Sequence, residues 1–154
     1  MKKISASLLF AFVGVISASA QPSLRSKEFN LNKNVAIQGY DHVAYFTQNK
    51  AVKGIESFSA TVDGVIYYFA DAEDKALFLK DWKKYEPQYG GWCAYAMGAT
   101  GEKVEIDPES FKISDGKLFL FYHSWINNTL NKWNKDETNL HTKADRNWPK
   151  FFHP

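Results

Sequence analysis

Two Asp-Gly pairs, Asp63-Gly64 and Asp115-Gly116, constrain this chain more than any other feature. Asp-Gly suits the two-residue hairpin turn in which both central residues take a positive φ, a turn whose twist matches that of the strands it joins. Residues 57–61 and Val65-Ile66-Tyr67-Tyr68-Phe69 flank the first pair. Phe111-Lys112-Ile113 and Lys117-Leu118-Phe119-Leu120-Phe121-Tyr122 flank the second, and all four runs are rich in strand formers. Helical signals stand beside them. Asp71 is placed as an N-cap with Asp74 three residues on, ahead of Ala76, Leu77, Phe78, Leu79 and Trp82 on one face, so a helix is expected to run from there to about Lys84. Trp125, Leu130 and Trp133, then Leu140, Ala144 and Trp148, fall at helical spacing, and Trp148-Pro149 marks a stop. The expected class is α+β: a small antiparallel sheet built from the two hairpins, packed with three to four helices.

Residues 1–20 read as a secretory signal rather than as part of the fold. Lys2 and Lys3 precede an apolar stretch too short to span a bilayer, and Ala18-Ser19-Ala20 is a small-residue cleavage site. Cleavage after Ala20 implies a periplasmic or secreted protein with no stable membrane anchor. The signal takes two lysines and no acid with it, so the overall charge of +2 falls to zero in the mature chain, which leaves no electrostatic footprint for nucleic acid. Residues 21–34 form a polar extension in which Leu24, Phe29 and Leu31 are candidates to dock. No linker, internal repeat or low-complexity tract follows, so residues 35–150 are expected to form one domain. A single Cys permits no internal disulfide, and stability must come from a core in which aromatic residues, 16% of the chain, are prominent.

That Cys lies in Tyr85-Glu86-Pro87-Gln88-Tyr89-Gly90-Gly91-Trp92-Cys93-Ala94-Tyr95-Ala96. Two readings stand: a glycine hinge that tucks a small apolar residue into a core, or a loop that offers a thiol and aromatic faces to a ligand. If Cys93 opens a helix, its thiol is activated. Met97 to Gly101 reads as a flexible loop. Upstream, Gly39 breaks two apolar runs, and Asp41 and His42 fall at the turn, where Asp41 either caps the backbone or holds a carboxylate beside a pocket.

Five blocks in one order resemble the exported branch of the YHS-domain family: Gly39-Tyr40-Asp41-His42-Val43-Ala44-Tyr45-Phe46, Tyr67-Tyr68-Phe69-Ala70, the stretch from Lys84 to Tyr95, Asp115-Gly116-Lys117-Leu118, and Ala144-Asp145-Arg146-Asn147-Trp148-Pro149. The resemblance covers residues 35–149. It implies a small α+β domain related to TRASH-type metal-binding modules. Metal-binding members carry cysteines where this chain has Ala44, Ala70 and Asp74, so a soft thiolate site of that kind is not expected. The resemblance carries over Tyr40, Asp41, Tyr68, Tyr89, Gly90, Gly91 and Cys93, with His42 peculiar to this chain.

Three functions are expected in competition. The first is an exported binding protein that holds a metal ion or small molecule in a pocket lined by Tyr40, Asp41, Tyr68, Tyr89, Gly90, Gly91, Trp92 and Cys93, with Cys93, Asp41 and His42 as donors for copper or zinc. The second is an enzyme with Cys93 as nucleophile and His42 or His123 as base. The third is a structural or interaction domain whose rings are core, with a homodimer as one form of association.

Overall fold

Both hairpins form at the Asp-Gly pairs, with Asp63 and Gly64 at φ 48° and 82° and Asp115 and Gly116 at 50° and 70°. The computed structural model describes residues 23–153; the signal peptide reading lies outside the described residues. In chain order the elements are α1 (Leu24–Glu28), β1 (Leu31–Asn32), β2 (Val35–Ala36), a 3-10 turn at Ile37–Gly39, α2 (Ala44–Thr47), β3 (Ile55–Val62), β4 (Val65–Phe69), α3 (Ala72–Lys80) and α4 (Trp82–Tyr85). A second 3-10 turn at Gln88–Gly91 leads to α5 (Ala94–Ala99), β5 (Asp107–Ser114), β6 (Lys117–Phe121), β7 (His123–Ser124), β8 (Asn127–Asn128), α6 (Thr129–Lys135), α7 (Glu137–Asn147) and a last 3-10 turn at Trp148–Phe151. No helix among the described residues is long and apolar enough to cross a membrane.

The α+β class stands, with seven helices among the described residues where three to four were expected. The additional ones have four to six residues, too few turns to show a 3.6-residue period in sequence. The helix expected to reach Lys84 breaks at Asp81 (φ −154°, ψ 66°), which divides α3 from α4. Met97 and Gly98, expected in a loop, lie in α5. The two hairpins also lie in separate sheets. Strands β1-β2-β4-β3 form one sheet, in which β2 runs parallel to β4, while β5-β6 and β7-β8 pair alone. Pro87 makes one parallel bridge to Leu118 beside β6 and, lacking an N–H, extends it no further.

The backbone carries the same unit twice, a repeat of structure that the sequence does not show. A constant shift of 52 residues takes the first hairpin onto the second: Ile55↔Phe69, Ser59↔Tyr68 and Val62↔Val65 match Asp107↔Phe121, Phe111↔Leu120 and Ser114↔Lys117, with the register irregularity at the same point. The same shift takes the parallel pair Val35↔Ile66 onto Pro87↔Leu118. It takes the turn Ile37-Gln38-Gly39, at φ 43°, 52° and 82°, onto Tyr89-Gly90-Gly91, at 55°, 60° and 84°. The hydrogen bonds follow: Asp41 N–H to Val52 O (2.8 Å) matches Cys93 N–H to Val104 O (2.9 Å), and Gln48 N–H to Ala44 O matches Thr100 N–H to Ala96 O.

The helices that close each unit correspond too. Asp71 and Asn128 cap α3 and α6 by accepting from the N–H three residues on, and Asp136 (φ −148°, ψ 42°) breaks α6 from α7 as Asp81 breaks α3 from α4. Phe78 sits on Tyr67 and Phe69 at 4.5 and 5.0 Å between centroids; Trp133 sits on their counterparts Phe119 and Phe121 at 5.6 and 5.7 Å. Each unit thus has its own core, one around Phe78 and one around Trp133, and a third apolar cluster seals the seam with Ile37 and Tyr45 from the first unit and Cys93, Ile106, Leu118 and Leu120 from the second. The second unit has an addition: the hairpin β7-β8, inserted before α6, carries Trp125 and Ile126 at its tip, 94% and 78% exposed.

Candidate functional site

Asp41 and Cys93 occupy the same place in the two units, at the entrance to α2 and α5, and both are buried completely. Asp41 spends its oxygens on backbone: Oδ1 accepts from Val43 N–H (2.8 Å) and Ala44 N–H (3.4 Å), and Oδ2 accepts from Ala70 N–H (2.7 Å) at the end of β4. Cys93 does the corresponding work, since Sγ accepts from Tyr122 N–H (3.3 Å) at the end of β6. Thr129 Oγ1 lies 3.5 Å from Sγ and gives its single hydrogen to Tyr122 O at 2.7 Å. The hydrogen between sulfur and Oγ1 therefore sits on the thiol.

His42 packs edge-on against Tyr67 and Phe78, and its Nδ1 bonds Tyr85 O at 3.2 Å. Burial lowers its pKa to about 3 against the opposing effect of that carbonyl, so the ring is neutral and Nδ1 is the donor. Asp74, on the first turn of α3, faces Asp41; burial and then the Asp41 carboxylate raise its pKa to about 7. The expected copper or zinc site does not form from these groups. Asp41 faces Ala70 and Asp74, His42 faces Tyr85, and Cys93 faces Thr129 and Tyr122. Among the described residues no three His, Cys, Asp or Glu side chains are grouped to hold a metal ion. Nor does the thiol have a base beside it, because His123 bonds Asp107 instead, at 3.2 Å.

The Gly-Gly pair, expected as a hinge or a presentation loop, is a docking point for Phe29, Asn30 and Trp148. A Cβ on Gly90 would lie 2.7 Å from Phe29 and 2.8 Å from Trp148, so this position is stripped of a side chain to admit two rings. Asn30 N–H donates to Gly90 O (2.9 Å), Asn30 Nδ2 to Gly91 O (3.3 Å), and Trp92 Nε1 to Glu28 O (2.7 Å). Tyr89 is buried with its hydroxyl on Asp145 Oδ1 (2.9 Å), and a shallow cavity of about 310 Å³ beside it is lined in part by Phe29, Tyr89, Gly90 and Trp148.

The extension expected to be a polar lead-in is a clasp across both units. Arg25 bonds Tyr67 Oη (2.7 Å), Asp63 Oδ2 (3.1 Å) and Glu86, and its guanidinium stacks 4.4 Å from the Trp82 ring; Glu28 pairs with Lys103 of the second unit. Burial raises the Glu86 pKa, opposed by its bonds to Tyr67 and Arg25.

Two adjoining cavities lie at the first turn. A cleft of about 330 Å³ runs along the seam, lined by Asn30, Leu31, Asn32, Lys33, Ile37 and Gln38 from one side and Glu105 and Ile106 from the other. A second cavity of about 450 Å³ shares Asn32, Lys33 and Gln38 and continues to Gly39, Glu56 and Tyr68. Gln38 Nε2 donates to Ile106 O (3.2 Å) across the seam, and Tyr40 lies beneath Lys53 Nζ at 4.3 Å. Of the expected ligand-binding residues, Tyr68 lines this space, Tyr40 lies next to its turn, Tyr89 and Gly90 border the other cavity, and Asp41 and Cys93 are internal. Asn32, Lys33, Gln38 and Glu105 escaped the sequence reading; the signal for them is the left-handed turn, which only Gly39 announces in sequence. Compared with protein-family models, curated proteins and solved structures, the chain matches none.

Proposed function

We propose that this chain is an exported, non-enzymatic binding module of the YHS type that holds a small polar molecule in the seam cleft at Gln38, and that Cys93 is part of its frame. The observation that carries this reading is the turn Ile37-Gln38-Gly39. Ile37 is β-branched and sits at φ 43°, a conformation that costs roughly 1–2 kcal/mol and persists where surrounding structure enforces it. The strained turn places Gln38 between two adjoining cavities at the junction of two units, where ligand sites are favoured. Lys33 and Glu105 face the same cleft with opposite charges, which suits a ligand carrying both an anionic and a cationic or hydroxyl group.

The test is thermal stabilisation by a panel of amino acids, hydroxy acids and sugars, with Gln38→Ala, Lys33→Ala and Cys93→Ser beside the wild type. A ligand whose shift is lost in the first two variants and kept in Cys93→Ser supports the reading. A shift lost in Cys93→Ser alone, or produced by copper or zinc and not by small organic molecules, overturns it. Trp125 and Ile126 favour a second reading, an interaction module that docks through the added hairpin.

A further inference from the structure

We propose that the chain is a tandem duplication in which Asp41 and Cys93 are one structural node used twice, and that the copies have divided its chemistry: a proton-sharing carboxyl pair that responds to pH in the first unit, and a thiol–hydroxyl pair whose two hydrogens both find acceptors in the second.

The equivalence rests on position and on bonding together. Each residue follows a left-handed turn and one aromatic residue, Tyr40 or Trp92, and each donates its N–H to the valine eleven positions on, Val52 or Val104. Each accepts, on its side chain, the N–H of the residue just past the second hairpin strand, Ala70 or Tyr122. The node therefore ties the start of a short helix to the end of a hairpin in both units. A second polar partner completes it from the first turn of the next helix: Asp74 on α3, Thr129 on α6.

The chemistry differs because of hydrogen count. In the second unit the thiol and the hydroxyl each have one hydrogen and each finds an acceptor, so the node is satisfied without charge. In the first unit all three backbone donors are taken by Asp41, which stands as the carboxylate. Asp74 is 6% exposed, and its Oδ2 is buried without a partner. Two charges cannot share that space cheaply, and a proton on Asp74, donated to Asp41, removes one of them. The groups facing Asp74 do not offset the charge: Asp41 lies ahead of α2, and Asp71 and Glu73 lie at the start of its own helix. No ion pair among the described residues includes Asp41 or Asp74. Loss of the Asp74 proton to solvent leaves two carboxylates facing each other where β4 meets α3.

The sign is fixed by the raised pKa of Asp74, whose folded value of about 7 lies above its ordinary 3.8. The node's contribution is complete below the ordinary value and is lost as pH rises through the folded one. The full chain is tested by urea denaturation from about pH 4 to about pH 8, with Asp74→Asn and Cys93→Asp. The wild-type midpoint is expected to fall across this range, and the fall to be reduced in Asp74→Asn, whose amide donates to Asp41 at every pH, the remainder belonging to Glu86, whose pKa burial also raises. Amide exchange, corrected for intrinsic rates, gives the local readout: protection at Ala70 drops about tenfold or more, as expected for a shift of at least one unit, while Tyr122 holds. An equal fall in Asp74→Asn, or equal loss at both amides, overturns the pH assignment. Cys93→Asp tests the equivalence. An Asp there can accept from Tyr122 and cap α5 as Asp41 caps α2, so this variant is expected to fold cooperatively and to outlast Cys93→Leu, which removes the acceptor. A Cys93→Asp protein less stable than Cys93→Leu at about pH 5 overturns it.

Discussion

The two units close the same left-handed turn in different ways. In the first, the carbonyls of Gln38 and Gly39 are satisfied from the unit's own chain, by Lys53 Nζ (2.9 Å) and Gly54 N–H (2.9 Å), and the turn's outer face stays open. In the second, Asn30 supplies both donors from the N-terminal extension, and Phe29 and Trp148 cover the turn. One local conformation thus serves as a cleft wall in one place and as an anchor in another. What decides between them is whether position 38 or 90 keeps a side chain.

The largest effect expected from this comparison comes from the core rings. Phe78→Ala and Trp133→Ala empty the same position in the two units, and each is expected to cost about 3–5 kcal/mol by chemical denaturation. A cost below about 1 kcal/mol for either would break the equivalence of the two cores. Arg25→Ala comes next at about 3 kcal/mol, because it strands Glu86 in a mostly buried position. Limited proteolysis of that variant should release the extension before either unit is cut; simultaneous loss would show that the clasp is not a separate layer.

Gly90→Gln places the first unit's residue in the second unit's turn. The left-handed conformation alone costs about 1–2 kcal/mol, and the new side chain must displace Phe29 or Trp148. Quenching of Trp148 fluorescence by iodide is expected to rise, and unchanged quenching would mean that the rings move without leaving. The smallest stability effect is expected at the open turn: Lys33→Ala should stay within about 0.5 kcal/mol, since Lys33 is exposed, while weakening ligand binding at the seam cleft. A loss of stability there comparable to that of Gly90→Gln would place Lys33 in the frame.

Much of the local architecture was legible. Asp63-Gly64, Asp115-Gly116 and the Asp71 cap act within four residues of chain, so their geometry follows from neighbours alone. The duplication was not legible. Between residues 35–69 and 87–121 only Gly39, Ala44, Val52, Asp63, Gly64 and Phe69 recur at their counterparts, because a core accepts many side chains of suitable volume while the backbone path is retained. Phe78 and Trp133, or Tyr67 and Phe119, do the same packing with different rings. The role of Cys93 was equally hidden, because Asp and Cys share no pattern in sequence and meet only in the bond each accepts.

The sequence by itself determined the two hairpins, the capped helix α3, the α+β class and the aromatic character of the core, since these depend on turn chemistry and periodicity. Only the tertiary structure decided that Gly90 makes room for Phe29 and Trp148, that Asp41, His42 and Cys93 turn away from one another, and that two cavities adjoin at Gln38. Those outcomes depend on which residues far apart in the chain, 29 with 90 with 148, come to share one volume, and exclusion from a shared volume leaves no periodic trace along the chain.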